Sequence, residues 1–152
     1  MDIDQLLKSH HVALGVKARD WRDVLEKLAS LFTSEEVANN FADRLIAREE
    51  QYPTGLSVKP FGVALPHADP GVVKKSSLGI LTLSDPVYFR EMANPDNEVP
   101  VRLVIGIAIT ESEKEHHVGV LSWIVQRIQD EDWLERIVKA GSKEEVLNLF
   151  SV

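Results

Sequence analysis

The chain has 152 residues, 44% hydrophobic and 27% charged, the length and balance of one globular domain that buries a core without staples. It has no cysteine, which excludes disulfides, thiolate zinc sites and cysteine nucleophiles together and fits a reducing compartment. The 17 Lys and Arg against 24 Asp and Glu leave a net charge of −7, with the cations scattered apart from Lys74-Lys75, so no nucleic-acid-binding face is expected.

The opening Met1-Asp2-Ile3-Asp4 carries neither a basic nor an apolar leader segment. The longest apolar stretch, residues 99–109, is too short to span a bilayer and contains Arg102. A soluble, cytoplasmic protein without membrane insertion is expected. The acidic balance serves solubility or steers a basic protein partner. His10-His11 falls in the first loop and is assigned no chemical role.

Asp20 reads as an N-cap, followed by Trp21, Val24, Leu25, Leu28, Leu31 and Phe32 at helical spacing. Thr33 and Glu36 form a capping-box pattern, which predicts a second helix carrying Val37, Phe41 and Leu45 on one face and running to about Glu50. Tyr52-Pro53-Thr54-Gly55 stops it. Residues 62–65 read as a short strand ended by Pro66, and residues 78–83 as another. Residues 99–109 are the strongest strand. Val101, Leu103, Ile105, Ile107 and Ile109 are expected on one face, with Val104, Gly106 and Ala108 on the other. Two apolar faces indicate a central strand covered on both sides. Ser112 and Glu115 predict a capped helix with Val118, Leu121, Ile124, Val125 and Ile128. Helical pieces at 133–139 and 143–150 close the chain, the last capped by Ser142 with Glu145. The expectation is an α/β sandwich in a single domain over residues 1–152, its mixed sheet flanked by helices on both faces.

Of five histidines, His67 lies just past a short buried strand, where Pro66 is expected to turn the chain out of the sheet. A neutral imidazole there can attack phosphorus in covalent catalysis. The plainer reading is a turn histidine hydrogen-bonded to backbone. On a wheel at about 100° per residue, His117 aligns with Leu121, Ile124 and Ile128, whereas His116 falls at the edge of that face. His117 is therefore expected to point toward the sheet, near an anion-favouring helix start, or else simply to fill the end of an apolar stripe. Arg48 falls about 20° from Val37 on the second helix. It either snorkels to water or offers its fork of donors to a phosphate. Glu49 is expected to point elsewhere and to be solvated.

Arg48-Glu49, Pro53-Thr54-Gly55 and Gly62-Val63-Ala64-Leu65-Pro66-His67 resemble the IIA components of the fructose/mannitol class of the bacterial sugar phosphotransferase system. So do Leu103-Val104-Ile105-Gly106-Ile107-Ala108 followed by His117, and the closing Ser142-Lys143-Glu144-Glu145-Val146-Leu147. The resemblance covers the chain from about residue 5. It implies that His67 is phosphorylated, that His117 is the second active-site histidine and that Arg48 is the active-site arginine. It implies a phosphoryl group received from the phosphocarrier protein HPr and given to a IIB component, which feeds sugar uptake through IIC. No metal and no cofactor are implied, and no oligomeric state is assigned. The long spacer between Arg48 and His67, with Tyr52-Pro53-Thr54-Gly55-Leu56, looks most like the galactitol branch. Within this reading His117, Arg48 and the N–H groups of residues 112–115 stabilise the phosphoryl oxygens, and Thr54 orients an imidazole or an oxygen. Two rivals stand beside it. One is a regulatory IIA-like domain that signals by its phosphorylation state. The other is a metal-dependent hydrolase using His67-x-Asp69 with His116, His117 or His10-His11.

Overall fold

A computed structural model describes residues 3–151. The β-branched run at 99–109 becomes one of two central strands. Strand β5 covers Glu98–Ala108 and pairs antiparallel with β4, Ser77–Arg90. β1 (Val12–Val16) adds parallel to β4, β3 (Gly62–Ala64) adds parallel to β5, and β2 (Gly55–Leu56) adds antiparallel to β3. The result is one mixed five-stranded sheet in the order β1-β4-β5-β3-β2. Neither β1 nor β2 is evident in the sequence, because each is a short edge strand of half-buried residues without strict alternation.

Both faces of the sheet are covered, as expected. Helices α1 (Trp21–Ala29) and α2 (Phe41–Gln51) bury Val24, Leu25, Leu28, Phe41 and Leu45 against one face. Helices α3 (His117–Ile128), α4 (Glu131–Lys139) and α5 (Lys143–Leu149) bury Val120, Ile124, Leu134, Ile137 and Val146 against the other. Asp20 caps α1 by accepting from the Asp23 N–H, and Ser142 caps α5 by accepting from the Glu145 N–H. Gly79 and Gly106 are cross-strand partners beneath α1. A Cβ on Gly106 would lie 2.8 Å from Leu28 Cδ2, and one on Gly79 2.9 Å from Phe32 Cζ. Only glycine lets that helix sit so close to the sheet.

Four local expectations fail. The Thr33–Glu36 pattern makes a turn, not a helix start: Glu36 Oε1 accepts from Thr33 N at 2.9 Å, but Val37 is drawn into an antiparallel bridge with Val73, and the helix begins only at Phe41. β4 runs on past Leu83 through an irregularity between Thr82 and Val87, where Arg102 donates to the carbonyls of Leu83 and Ser84. A second irregularity between Gly62 and Val63 breaks the alternation of β5. Val101 therefore joins Val99 and Val104 in the core under α1 and α2, while Leu103, Ile105 and Ile107 enter the opposite one. Finally, Ser112 caps nothing. Residues Glu111–His116 form a 3-10 turn, α3 starts at His117, and Val118 is 75% exposed.

Candidate active site

Ile107 in β5 is the pedestal of the site. Its N–H donates to the Pro66 carbonyl at 2.9 Å, and its own carbonyl accepts from the Ala68 N–H at 3.0 Å. Pro66 has no N–H to give the ladder, yet the chain does not turn out of the sheet as expected. His67 pairs with Ile107 as a single parallel bridge. Its backbone is thereby fixed on both sides to a central strand that is fully buried at this end.

The half-buried His67 ring places Nδ1 at 2.5 Å from the Leu65 carbonyl oxygen. A carbonyl only accepts, so Nδ1 carries the proton and Nε2 keeps its lone pair. Among the described residues, Nε2 has no hydrogen-bond partner. The backbone-bonded turn histidine and the free imidazole nitrogen are thus the same residue, and the first property produces the second. Burial pulls the imidazole pKa down to about 4; the Leu65 carbonyl opposes this, and His117 and Arg48 add to it. The ring is neutral at pH 7.

His117 stacks on it, with ring centroids 5.1 Å apart and planes 24° from parallel. The loop that delivers His117 is pinned to the start of β4. Ser76 Oγ accepts from Thr110 N at 2.9 Å and donates to Glu113 Oε1 at 2.7 Å. Helix α3 buries Val120, Ile124 and Ile128, and His117 lies about 20° from Ile124 on the wheel, so the relative spacing survives the shifted helix start. His116 is exposed beside Glu115. His117 also has a lowered pKa, through burial first and then Arg48. The N–H groups of residues 112–115 are partly engaged: that of Glu113 donates to the Thr110 carbonyl.

Arg48 projects from the last turn of α2, where its guanidinium donates to Asp69 Oδ1 at 3.1 Å and lies 5.9 Å from the centre of the Tyr52 ring. Arg44, one turn earlier, donates to Asp69 Oδ2 from Nη2 at 2.9 Å and from Nε at 3.3 Å. Glu49 is not solvated. An i+4 step advances a helix by about 40°, so the stripe of Phe41 and Leu45 drifts onto Glu49, which is buried. Its carboxylate accepts from Thr54 N at 2.7 Å and from Thr54 Oγ1 at 2.8 Å. The Thr54 hydroxyl proton is thus engaged by Glu49 and not by an imidazole. Thr54 joins α2 to the strand edge, and its carbonyl accepts from Leu65 N at 3.3 Å, just before His67.

Asp69 is committed to two arginines instead of pairing with His67 as a metal ligand set. Among the described residues, the three carboxylate and imidazole side chains close enough to share a cation are His10, His11 and Glu36. There His11 is buried, accepts the Lys8 N–H on Nδ1 at 2.9 Å, and so presents Nε2 as N–H to Glu36 Oε2 at 2.9 Å. That tautomer leaves the His11 Nε2 no lone pair for a metal. Sequence reasoning missed Arg44 and Ser76, gave Asp69 only to a metal pair and left Glu49 in solvent. The Arg44–Arg48 spacing of one helical turn was the available signal for Arg44.

A sequence profile of the family described as "Phosphoenolpyruvate-dependent sugar phosphotransferase system, EIIA 2" matches residues 5–152. The chain belongs to this family. The galactitol-specific EIIA component of Escherichia coli K12 is 27% identical over 128 residues, 84% of this chain and 83% of the relative. The ascorbate-specific EIIA component of Mycoplasma pneumoniae is 32% identical over 134 residues, 86% of this chain and 79% of the relative. Among solved structures, the nitrogen regulatory protein IIA-Ntr of Neisseria meningitidis superposes with a TM-score of 0.81 at 25% identity, over 98% of this chain and 99% of that one. The Escherichia coli complex of mannitol enzyme IIA with phosphorylated enzyme IIB matches with a TM-score of 0.74 at 26% identity, over 95% of this chain and 96% of that one. Membership makes this EIIA protein a phosphoryl carrier of a sugar phosphotransferase system. Among its described residues, no helix is long and apolar enough to cross a membrane.

Proposed function

We propose that His67 is the carrier residue, that it accepts a phosphoryl group at Nε2 from HPr in the cytoplasm, and that it donates this group to a IIB component. The observation that carries the reading is the Nδ1–H bond from His67 to Leu65, which leaves a neutral ring with its lone pair on the outer nitrogen. The lone pair of Nε2 forms the new N–P bond as the bond between phosphorus and the donor's nitrogen breaks, and that electron pair returns to the donor. The proton on Nδ1 stays where it is. Transfer of this kind needs alignment and charge stabilisation more than covalent help. His117, stacked on the ring, and Arg48 supply the donors, with no step assigned to a metal.

The IIB partner is supported by the mannitol complex to which this fold is similar. Galactitol as the sugar is supported by the long Arg48–His67 spacer and by the Escherichia coli relative. The regulatory alternative is favoured by one observation, the likeness to IIA-Ntr. Incubation with enzyme I, HPr and phosphoenolpyruvate tests the core of the proposal. The protein should gain one acid-labile phosphoryl group, and His67→Gln should gain none. Full labelling of that variant would show another residue to be the carrier. Chase of the label onto purified galactitol-type IIB, with none onto ascorbate-type IIB, would assign the branch. A label that no IIB discharges would favour the regulatory role.

A further inference from the structure

Asp69 sits two residues after His67, on backbone that Ile107 holds in place, and it divides its two carboxylate oxygens between two arginines of one helix. Arg48 takes Oδ1 and Arg44 takes Oδ2, so the carboxylate's negative charge lies between two positive ones. Arg44 is the more exposed of the two arginines, its side chain 53% accessible against 38% for Arg48. The Arg48 charge bears on both imidazoles, lowering the proton affinity of each. A phosphoryl group at His67 would bring close to two negative charges beside these three. The guanidinium of Arg48 would then face two anionic claimants, Asp69 and the phosphoryl oxygens.

We propose that the Arg44–Asp69 pair sets how tightly this protein holds its phosphoryl group: Asp69 competes with phosphohistidine for Arg48, and Arg44 moderates the competition by holding the carboxylate. The proposal rests on His67 being the phosphorylated residue. Asp69 and Arg44 are positioning residues in it; neither touches the reacting atoms. A carrier must accept from one partner and release to the next, so its phosphoryl affinity has to be intermediate. A carboxylate that shares the arginine lowers that affinity, and a second arginine on the carboxylate restores part of it.

The two substitutions must act in opposite directions. Asp69→Asn keeps an acceptor of the same shape but removes the charge, which leaves Arg48 wholly to the phosphoryl group. Arg44→Gln leaves Asp69 with Arg48 alone, which strengthens the competition. Each effect is screened, as for other partly exposed ion pairs, and is expected at about two- to fivefold.

Each protein is mixed with one equivalent of phospho-HPr, and the distribution of label at equilibrium is read on native gels. In parallel, each is charged with the small phosphodonor phosphoramidate, the phosphorylated atom is located by mass spectrometry and phosphorus NMR, and hydrolysis is followed. Asp69→Asn should shift the equilibrium toward the phosphorylated protein and Arg44→Gln away from it. Arg44→Lys, which keeps the charge, should lie nearer to wild type than Arg44→Gln. Both shifts should shrink on raising salt. A wild-type protein not labelled at His67 by either donor overturns the carrier assignment itself. With His67 labelled, equal equilibria, or shifts of the same sign in the two variants, overturn the competition.

Discussion

The molecule holds two pairs of neighbouring histidines, and only one is built for transfer chemistry. His10 and His11 lie closer together than His67 and His117, with ring centroids 4.0 Å apart against 5.1 Å. What separates the pairs is the group on each Nδ1. His11 Nδ1 accepts a backbone N–H, so its Nε2 becomes a donor and is consumed by the buried Glu36 carboxylate. His67 Nδ1 donates to a backbone carbonyl, so its Nε2 keeps a lone pair facing no partner among the described residues. One backbone dipole, reversed, turns a histidine from a structural bolt into a nucleophile. The carboxylates follow the same division. Glu36 binds its histidines directly, whereas Asp69 is held away from His67 by two arginines.

The contrast predicts that substitutions at one pair change rate and those at the other change stability. The largest effect is expected at His117. Removing a preorganised donor of this kind costs on the order of 10²–10³ in rate. His117→Ala should slow phosphoryl transfer from phospho-HPr by that amount in rapid-quench experiments, with slow labelling of His67 retained. Wild-type rates in this variant would make the stacked ring a packing element only. Glu36→Ala comes next. It leaves the buried His11 N–H without an acceptor, at a cost of about 1–3 kcal/mol. Urea denaturation should show this loss while the transfer rate of the folded protein stays unchanged.

Acid sharpens the comparison further. His11 is held below the usual histidine pKa, by burial against the opposing pull of Glu36, and His67 lies at about 4. For both groups the unfolded chain binds the proton more tightly, so their stabilising contribution is complete above about pH 6.5 and is lost as pH falls below it. The urea midpoint should therefore drop between about pH 6.5 and 4, and His67→Gln should flatten that slope. The His67 ring should titrate near 4 in NMR, so the nucleophile stays neutral at pH 5. A midpoint near 6.5 would remove the desolvation argument. The smallest effect is expected at His116, which is exposed: His116→Ala should leave transfer within about twofold, since surface changes usually cost under 0.5 kcal/mol. A defect larger than that of His117→Ala would reverse the assignment of the two rings.

The apolar pattern at 99–109, the caps at Asp20 and Ser142, and the helical stripes were legible because period and capping are local properties. They were enough for a mixed sheet covered on both faces. The spacing of His117 from Ile124 was equally local, so it singled out the ring that stacks on His67 even though the helix starts four residues later than a cap at Ser112 suggested. The placement of Glu49 was not legible, because it depends on α2 beginning at Phe41 and not near Thr33. That start is decided by Val37 pairing with Val73 and by Glu36 binding His11, both distant in sequence.

The sequence by itself determined the two central strands, β3, the helical stripes, the two-sided sheet and the candidates His67, His117 and Arg48. Only the tertiary structure decided which nitrogen of each histidine is free, because a tautomer follows from the one backbone group opposite it. It alone decided that Asp69 belongs to the arginines and Glu49 to Thr54, because a carboxylate's role is set by the nearest donors, and these come from other segments of the chain.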